Sequence, residues 1–360
     1  MKLAYITRVT IPNKVAQAEQ IKAMSYAFGA YLKDEFLLVS PTNNLIKALE
    51  FPFNHYSINI KITHKILRNL VFGIKVFKFL KKHEINYVYT RDILIAFISS
   101  VFFRIPTGYE AHQPIKGKVA MILHKIVSRN TEFKLVTITQ SLKNYFSETL
   151  KYKNDIQVVR NGVFLQDYLN APEKNILRDE LGIPNDAFLI VHTGSLFQNR
   201  GFEKFEVILS RFPNVYLYQI GGGRYDIELL KPQLEHYKNM KFIDYQPKNI
   251  VVKYQMAANV LLYLTSTKSP IFWCTSPNKI FEYMATKNPI LSPRIGSITE
   301  ILNNKNSYLF DLENNEDLVS SLQKIISKSN NTRALFAFDE VKRTYSMENR
   351  VKKITQILTK

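Results

Sequence analysis

The chain has 360 residues, of which 46% are hydrophobic and 22% charged, with a formal net charge of +19. This length allows two domains with separate cores, and the sequence has no run of about 18 apolar residues that would span a membrane. The single cysteine, Cys274, excludes an internal disulfide and a thiolate-bound metal cluster. The N-terminal MKLAYITRV is typical of a first strand rather than a cleavable signal, so we expect a cytoplasmic protein.

The positive charge is concentrated in the first half, since residues 1–165 contain 24 Lys and Arg against 10 Asp and Glu. There, residues 58–82, INIKITHKILRNLVFGIKVFKFLKK, mix bulky apolar residues with seven basic ones at helical spacing. This pattern is typical of a helix lying on an anionic membrane, or of an amphipathic helix packed on a sheet. The sequence carries no recognisable nucleic-acid motif. We therefore predict peripheral attachment to the inner face of the cell membrane, and no nucleic-acid partner.

In chain order, short apolar strands alternate with helical stretches, which predicts a parallel sheet. The predicted elements of the first half are strands at LAYIT, FLLVS, YVYT, 106–110, KLVTIT and IQVVRNGV, and helices at 16–31, within 58–82 and from Ile93. A polar segment at 167–186, with Pro172 and Pro184, is predicted to link two domains.

A second alternating series begins at FLIVHTGSL and continues through VYLYQIGGG, MKFIDYQ, VLLYL, a helix after Ser276, PILS and YLF. The fold class predicted is therefore α/β, with two facing Rossmann-like domains. Their boundaries are placed at 1–168 and 169–335, and the final stretch, 336–360, is predicted to cross back to the first domain. Ligands of such sheets bind beyond the carboxyl ends of the strands, so we expect the site in a cleft between the domains.

The segment TSPNKIFEYMATKNPILS, residues 275–292, carries the strongest local signal. Ser276 and Pro277 match an N-cap followed by proline at the first helical position. A helix start favours phosphate, and Lys279 adds a full charge in the first turn. Glu282 lies among apolar residues, where ribose hydroxyls could satisfy its carboxylate. The alternative is a pair with Lys279 on an exposed helix face.

Other candidates follow the ends of predicted strands. Gly194 allows close approach to the backbone, and Arg200 can bind a phosphate with two N–H groups, unless it is only a surface arginine. The glycines from Gly221 onward permit a ligand to approach, although a tight turn also explains them. His112 and Arg91 end strands in the basic half, where either a substrate contact or a purely structural role fits.

Several motifs are absent from the sequence: a Walker A loop, HExxH, GxGxxG and an early Asp-x-Asp that would hold a metal on a diphosphate. We therefore predict no metal and no cofactor. A departing diphosphate would be stabilised by Arg200, Lys279 and the helix start at Ser276.

Taken together, these segments resemble glycosyltransferase family 4, whose members are retaining, metal-independent enzymes with the GT-B fold of two facing Rossmann-like domains. The resemblance spans nearly the whole chain. The segments that carry it are TRDILIAFISSVFFRIPTGYEAHQP, IQVVRNGVFLQDY, RDELGIPNDAFLIVHTGSLFQNRGFEKFEVIL, VYLYQIGGG, KYQMAANVLLYLTS and SPNKIFEYMATKNPILS. The last is close to the SPxK-x-FEYMA form found in one subset of the family.

The resemblance implies a role for individual residues. Glu282 matches the second glutamate of the family's E-x7-E motif, which binds the nucleotide ribose, and Arg200 stands where the family has a diphosphate-binding lysine. His112 matches the histidine near the transferred sugar. Cys274 replaces the first glutamate and Ser195 replaces a usual arginine, while residues 11–16 stand where the family has Gly-Gly.

The predicted function is transfer of a sugar from a nucleotide diphosphate sugar to a hydroxyl of a lipid-linked glycan acceptor, by a hexosyltransferase-type enzyme in surface polysaccharide synthesis. The alternative is a non-catalytic binding subunit that keeps the fold; sugar nucleotide epimerases share it, but nothing here singles them out. The predicted site residues are, by role, catalytic His112, Arg200 and Lys279; nucleotide-binding Gly194, Ser195, Gly221, Cys274, Ser276, Pro277 and Glu282; and a sugar or acceptor contact at Arg91.

Overall fold

The computed structural model describes residues 1–11, 16–42, 51–152, 155–196, 200–328 and 331–360. Two parts of the predicted site lie outside the described residues: 12–15, within the segment 11–16 that stands where the resembling family has Gly-Gly, and 197–199, which follow Gly194 and precede Arg200.

The chain forms two compact units. The first consists of Met1–Arg160 and Met347–Lys360, and the second of Asn161–Ser346. The divisions between the units fall after residues 160 and 346, whereas the sequence places domain boundaries after 168 and 335.

Each unit contains one parallel sheet. The strand order over the described residues is β3-β2-β1-β4-β5-β6-β7 in the first unit and β10-β9-β8-β11-β12-β13 in the second. Their central strands are short, apolar and buried, as parallel strands covered by helices must be. The strands are β1 (Leu3–Ile6), β2 (Phe36–Thr42), β3 (Asn54–Asn59), β4 (Tyr87–Thr90), β5 (Thr107–Ala111), β6 (Phe133–Thr137), β7 (Gln157–Val158), β8 (Phe188–Thr193), β9 (Val215–Ile220), β10 (Met240–Ile243), β11 (Val260–Leu262), β12 (Ile290–Pro293) and β13 (Tyr308–Phe310).

Helices cover both sheets. They are α1 (Ala16–Leu32), α2 (Lys65–Lys82), α3 (Ile93–Phe97), α4 (Lys118–Val127), α5 (Gln140–Leu150), α6 (Gln166–Leu169), α7 (Lys174–Leu181), α8 (Glu203–Arg211), α9 (Arg224–Leu234), α10 (Lys248–Ala257), α11 (Asn278–Ala285), α12 (Asn315–Ile326), α13 (Thr332–Thr344) and α14 (Met347–Thr359). A π-helical turn, Ile98–Phe102, continues α3. Among the described residues, no helix is long and apolar enough to cross a bilayer.

The strand order decides which face of the first sheet each helix covers. The chain moves in one direction across the sheet from β1 to β3, and in the other from β4 to β7. Because crossovers between parallel strands are right-handed, α2 to α5 lie on one face and α1 on the other. The C-terminal α14 packs against α1, so α2, α3 and α4 form an outer surface on the opposite side.

The structure shortens the helix predicted within residues 58–82 at its N-terminal side. The segment begins in β3, where Ile58 pairs with Pro41 of β2, and the helix starts only at Lys65. Ile58 and Ile60 are both buried, which is the two-residue period of a strand rather than a helical spacing.

Two other segments differ from the sequence prediction. The polar segment 167–186, predicted as a link between domains, lies within the second unit and includes most of α6 and all of α7. Leu177 of α7 is fully buried, and Gly182 ends that helix with a positive φ of 63°. The C-terminal stretch forms two helices, α13 and α14, and between them Ser346 forms an isolated parallel bridge with Val163.

Candidate functional site

Two glycine loops meet at the carboxyl end of the second sheet. Gly194 follows β8 and Gly221 follows β9, with φ values of 105° and 91° that disfavour any residue with a side chain. The Gly194 N–H donates to the carbonyl of Ile220 at 2.8 Å. The side-chain amide of Gln219 donates to the carbonyls of Gly194 at 2.8 Å and Gly221 at 2.9 Å. One amide group therefore holds both loops in a fixed arrangement.

Lys279 lies against the first of these loops. Its Nζ donates to the carbonyl of Thr193, and a Cβ added to Gly194 would lie 2.7 Å from this Nζ. Burial and, to a smaller extent, the charge of Arg200 lower the pKa of Lys279 to about 7, although Glu282 opposes the shift. Two cationic groups therefore approach one another at the strand ends, an arrangement that an anion would stabilise.

The start of α11 differs from the sequence prediction. The helix begins at Asn278 and its N-cap position is Pro277, with ψ of 130° and no side-chain cap. Ser276 is therefore not the N-cap. Its carbonyl accepts a 2.6 Å hydrogen bond from the Asn161 amide, and its hydroxyl accepts a longer one, 3.4 Å, from the Asn161 N–H. These bonds fix the chain before the helix instead of capping it.

The loop before α11 is held from the other side by the turn after β12. The hydroxyl of Ser297 donates to the carbonyl of Thr275 at 2.6 Å. A side chain at Gly296, where φ is 54°, would collide with the carbonyl oxygen of Phe272. Cys274, which stands in this loop, is fully buried. Hydrogen bonds from Asn161 and Ser297 thus fix the position of the loop that carries Cys274, Ser276 and Pro277 within the second unit.

Glu282 is paired with α10 rather than with its helix neighbour. Its carboxylate forms an ion pair with Lys248 and accepts a 3.1 Å hydrogen bond from Gln255. Burial would raise the pKa of Glu282, but Lys248 and Gln255 outweigh it and hold the pKa below its usual value. The side chain remains 19% exposed, so an ionised carboxylate is available at the surface of the second unit.

In the first unit, the predicted residues Arg91 and His112 meet at a residue that the sequence analysis did not single out. Arg91 NH2 lies 2.9 Å from Oε1 of Glu110, and His112 Nε2 contacts the same oxygen. Arg350, from α14, lies 2.8 Å from Oε2. A carboxylate within the apolar strand TGYEA was the available signal, since a buried charge requires partners.

The described structure thus places the predicted site residues in two groups. Arg91 and His112 belong to the first unit, and the second unit contains Gly194, Ser195, Arg200, Gly221, Cys274, Ser276, Pro277, Lys279 and Glu282. Ser195 is exposed beside Gly194. The residues that sequence reasoning missed in the second unit are polar side chains that support this group: Asn161, Gln219, Lys248 and Gln255.

Comparison with known proteins supports a glycosyltransferase relationship. Residues 187–328, which lie within the second unit, match the model of the family described as Glycosyl transferases group 1. This segment resembles that family. A comparison with curated proteins finds no match by sequence.

Several solved structures resemble this chain over nearly its whole length. A glycosyltransferase from Rickettsia africae has a TM-score of 0.79 at 15% identity, covering 99% of this chain and 98% of that one. Anabaena HepE, solved in complex with UDP and glucose, has a TM-score of 0.76 at 16% identity, covering 100% and 99%. WaaG, a glycosyltransferase involved in lipopolysaccharide biosynthesis, has a TM-score of 0.72 at 16% identity, covering 98% and 99%. The predicted α/β fold class, of the GT-B type, is therefore confirmed.

Proposed function

We propose that the protein is a retaining, metal-independent glycosyltransferase of the hexosyltransferase type. It transfers a sugar from a nucleotide diphosphate sugar to a hydroxyl of a lipid-linked glycan acceptor. The proposal rests first on two cations at the carboxyl end of the second sheet: Lys279, whose amine lies beside the backbone of Gly194, and Arg200, whose charge acts on Lys279. It is supported by the similarity to HepE, which was solved with UDP and glucose, and to WaaG, which acts in lipopolysaccharide biosynthesis.

The proposed roles follow from the chemistry of each group. Lys279 and Arg200 bind the diphosphate and stabilise the charge that develops on it as the bond to the sugar breaks. The glycine loop at Gly194 lets the diphosphate approach the backbone, and Glu282 accepts hydrogen bonds from the ribose hydroxyls. His112 contacts the transferred sugar while the acceptor hydroxyl attacks from the face that the diphosphate leaves.

Calorimetric titration with UDP, GDP and ADP sugars tests the proposed function directly. We expect one base to bind, and we expect Glu282→Ala to weaken that binding about tenfold or more, because hydrogen bonds to a charged group contribute about 1.5–3 kcal/mol each. Glu180→Ala is the matched control, since Glu180 is a more exposed carboxylate that pairs with Lys253, also on the second unit. Repeating transfer assays in EDTA tests whether the reaction needs a metal.

One observation favours the second candidate, a non-catalytic binding subunit. Cys274 stands where the resembling family has its first glutamate, and its side chain is fully buried. A folded protein that binds none of the three nucleotide sugars, or that binds one without transferring its sugar to any acceptor, would favour that candidate.

Binding of the donor should depend on pH through Lys279. Its pKa of about 7 in the free protein should rise when a diphosphate replaces water beside it, because an anion stabilises the charged amine. A group whose pKa rises on binding takes up a proton, so affinity should fall as pH increases above 7. Calorimetry at pH 7.5 in two buffers of different ionisation enthalpy measures this uptake directly. Equal heats in both buffers would contradict the prediction.

We further propose that the first unit attaches to the anionic, cytoplasmic face of the cell membrane. The outer surface made by α2, the π-helical turn and α4 exposes large apolar side chains among basic ones. Its exposed apolar residues are Leu67, Leu70, Ile74, Phe77, Phe102, Val119, Ile122 and Ile126. Its exposed basic residues are Lys75, Lys78, Lys81, Lys82, Arg104, Lys116, Lys118, Lys125 and Arg129. Apolar insertion and attraction to anionic lipid act together on such a surface.

Sedimentation with lipid vesicles tests this attachment. We expect the protein to bind vesicles that contain phosphatidylglycerol and not vesicles of phosphatidylcholine alone, because each basic residue near the surface contributes about 1 kcal/mol. Leu70→Glu with Ile74→Glu should abolish binding. The control pair is Leu169→Glu with Ile176→Glu, which alters equally exposed apolar residues of the second unit. Equal loss of vesicle binding in the two double variants would contradict the proposal that this surface of the first unit binds the membrane.

A further inference from the structure

Glu110 is a fully buried carboxylate with four partners in the part of the chain that the structure describes. Arg91 and His112 lie at its Oε1, and Arg350 and the hydroxyl of Tyr89 lie at its Oε2. Burial would raise the pKa of Glu110, but Arg350 and Arg91 outweigh it and hold the pKa well below its usual value. The carboxylate is therefore ionised at neutral pH and can only accept hydrogen bonds.

This charge state determines the protonation of His112. Because Nε2 faces an oxygen that accepts and cannot donate, Nε2 must carry the hydrogen. Burial and the charge of Arg91 lower the pKa of His112 to about 4, even though Glu110 opposes the shift. A neutral imidazole that carries its hydrogen on Nε2 has a bare lone pair on Nδ1. Nδ1 makes no hydrogen bond to the described residues.

The side chains around Glu110 differ in how much of their surface is exposed to solvent. The side chains of Glu110, Arg350 and Arg91 are 0%, 2% and 7% exposed, whereas that of His112 is 24% exposed. If this network served only to stabilise the fold, the two arginines would already compensate the charge of Glu110, and a partly exposed imidazole would not be needed. The one partly exposed member instead offers a fixed acceptor to solvent.

We propose that Glu110, clamped between Arg91 and Arg350, is a positioning residue that fixes His112 in the Nε2–H tautomer, so that Nδ1 accepts a hydrogen bond from a hydroxyl of the transferred sugar. Only one part of this proposal, the contact between His112 and the transferred sugar, rests on the proposed function. The proposal adds the direction of that hydrogen bond and assigns roles to Glu110 and Arg350. A donor sugar that lacks the contacted hydroxyl leaves Nδ1 without a partner and is a poor substrate.

The tautomer can be measured by NMR on the full chain labelled with ¹⁵N-histidine. The ring signals of His112 are assigned as those lost in His112→Asn, and His124, which faces a tyrosine hydroxyl rather than a carboxylate, serves as the internal comparison. We expect His112 to be neutral and protonated on Nε2 at pH 7. A proton on Nδ1, or a charged ring, would overturn the proposal. Because this readout needs no substrate, it stands apart from the outcome of the nucleotide-sugar titrations.

The effect on transfer is tested with Glu110→Gln. We expect a change in the His112 tautomer signals and a fall in kcat of about tenfold to 100-fold, with unchanged affinity for the free nucleotide diphosphate, because the nucleotide ligands belong to the second unit. Unaltered His112 signals together with unchanged kcat in a folded variant would overturn the proposal. If Glu110→Gln does not fold, two other measurements test the proposal: the tautomer of the wild-type protein, and the transfer rates with a panel of singly deoxygenated donor sugars. The proposal is overturned if none of these sugars is transferred more slowly than its parent sugar.

Discussion

Replacement of Lys279 by methionine should lower the rate of sugar transfer about 100- to 1,000-fold, equivalent to roughly 3 to 4 kcal/mol of transition-state stabilisation. Methionine keeps much of the apolar length of the side chain and removes the charge and the hydrogen bond to Thr193. Because charge grows on the diphosphate as the sugar leaves, the loss should appear mainly in kcat. Steady-state kinetics with the donor identified by calorimetry provide the measurement.

Lys253→Met is the matched control for this variant. Lys253 also lies in the second unit, but it pairs on the surface with Glu180, and exposed pairs of this kind contribute at most about 1 kcal/mol. We expect its kcat to equal that of the unaltered protein. Arg200→Ala should lose activity as Lys279→Met does. A Lys279→Met variant with full kcat would remove Lys279 from the proposed site.

Replacement of Arg350 by methionine should lower the free energy of unfolding of the first unit by about 3 to 5 kcal/mol. The substitution takes one of two guanidinium groups from Glu110, whose charge is fully buried, and leaves that charge partly uncompensated. It also removes the contact of the guanidinium with the sulfur of Met24 on α1, at 3.4 Å. Urea denaturation followed by circular dichroism measures the change.

Arg211→Met is the control for this stability change. Arg211 pairs with Glu316, and both side chains are at least half exposed, so we expect a loss of no more than about 1 kcal/mol. Equal destabilisation of the two variants would show that burial of Glu110 does not set the strength of the Arg350 contact. The double variant Glu110→Gln with Arg350→Met should lose less than the two single changes added together, because the residues share one interaction.

Local sequence pattern was sufficient for most of the fold and not for all of it. Apolar runs such as FLIVHT predict buried parallel strands because such strands read as continuous hydrophobic segments. Strand β3, NHYSIN, has no such run, since it lies at the edge of its sheet and Ile58 is its one buried residue. Polarity likewise suggested a link at 167–186, where tertiary burial of Leu177 stabilises a helix.

The candidate site was predictable to the extent that its chemistry is local. The lysine of SPNK could be singled out because it stands in the first turn of a predicted helix. Its hydrogen-bond partner, Thr193, lies 86 residues away along the chain, and Arg350 lies 240 residues from Glu110. No periodicity encodes such pairings. The same limit explains why the sequence pattern predicts a cap at Ser276: its actual partner, Asn161, lies 115 residues away along the chain.

The first unit is built from both ends of the chain, and this has a consequence for synthesis on the ribosome. Helix α14, which supplies Arg350, emerges from the ribosome after the whole of the second unit. Until it arrives, Glu110 has Arg91 but lacks its second guanidinium group, and α1 lacks the helix that packs against it. The second unit, by contrast, is continuous from Asn161 to Ser346. The second unit should therefore fold before the first, and the segment Met1–Arg160 should become resistant to protease only after α14 has left the ribosome.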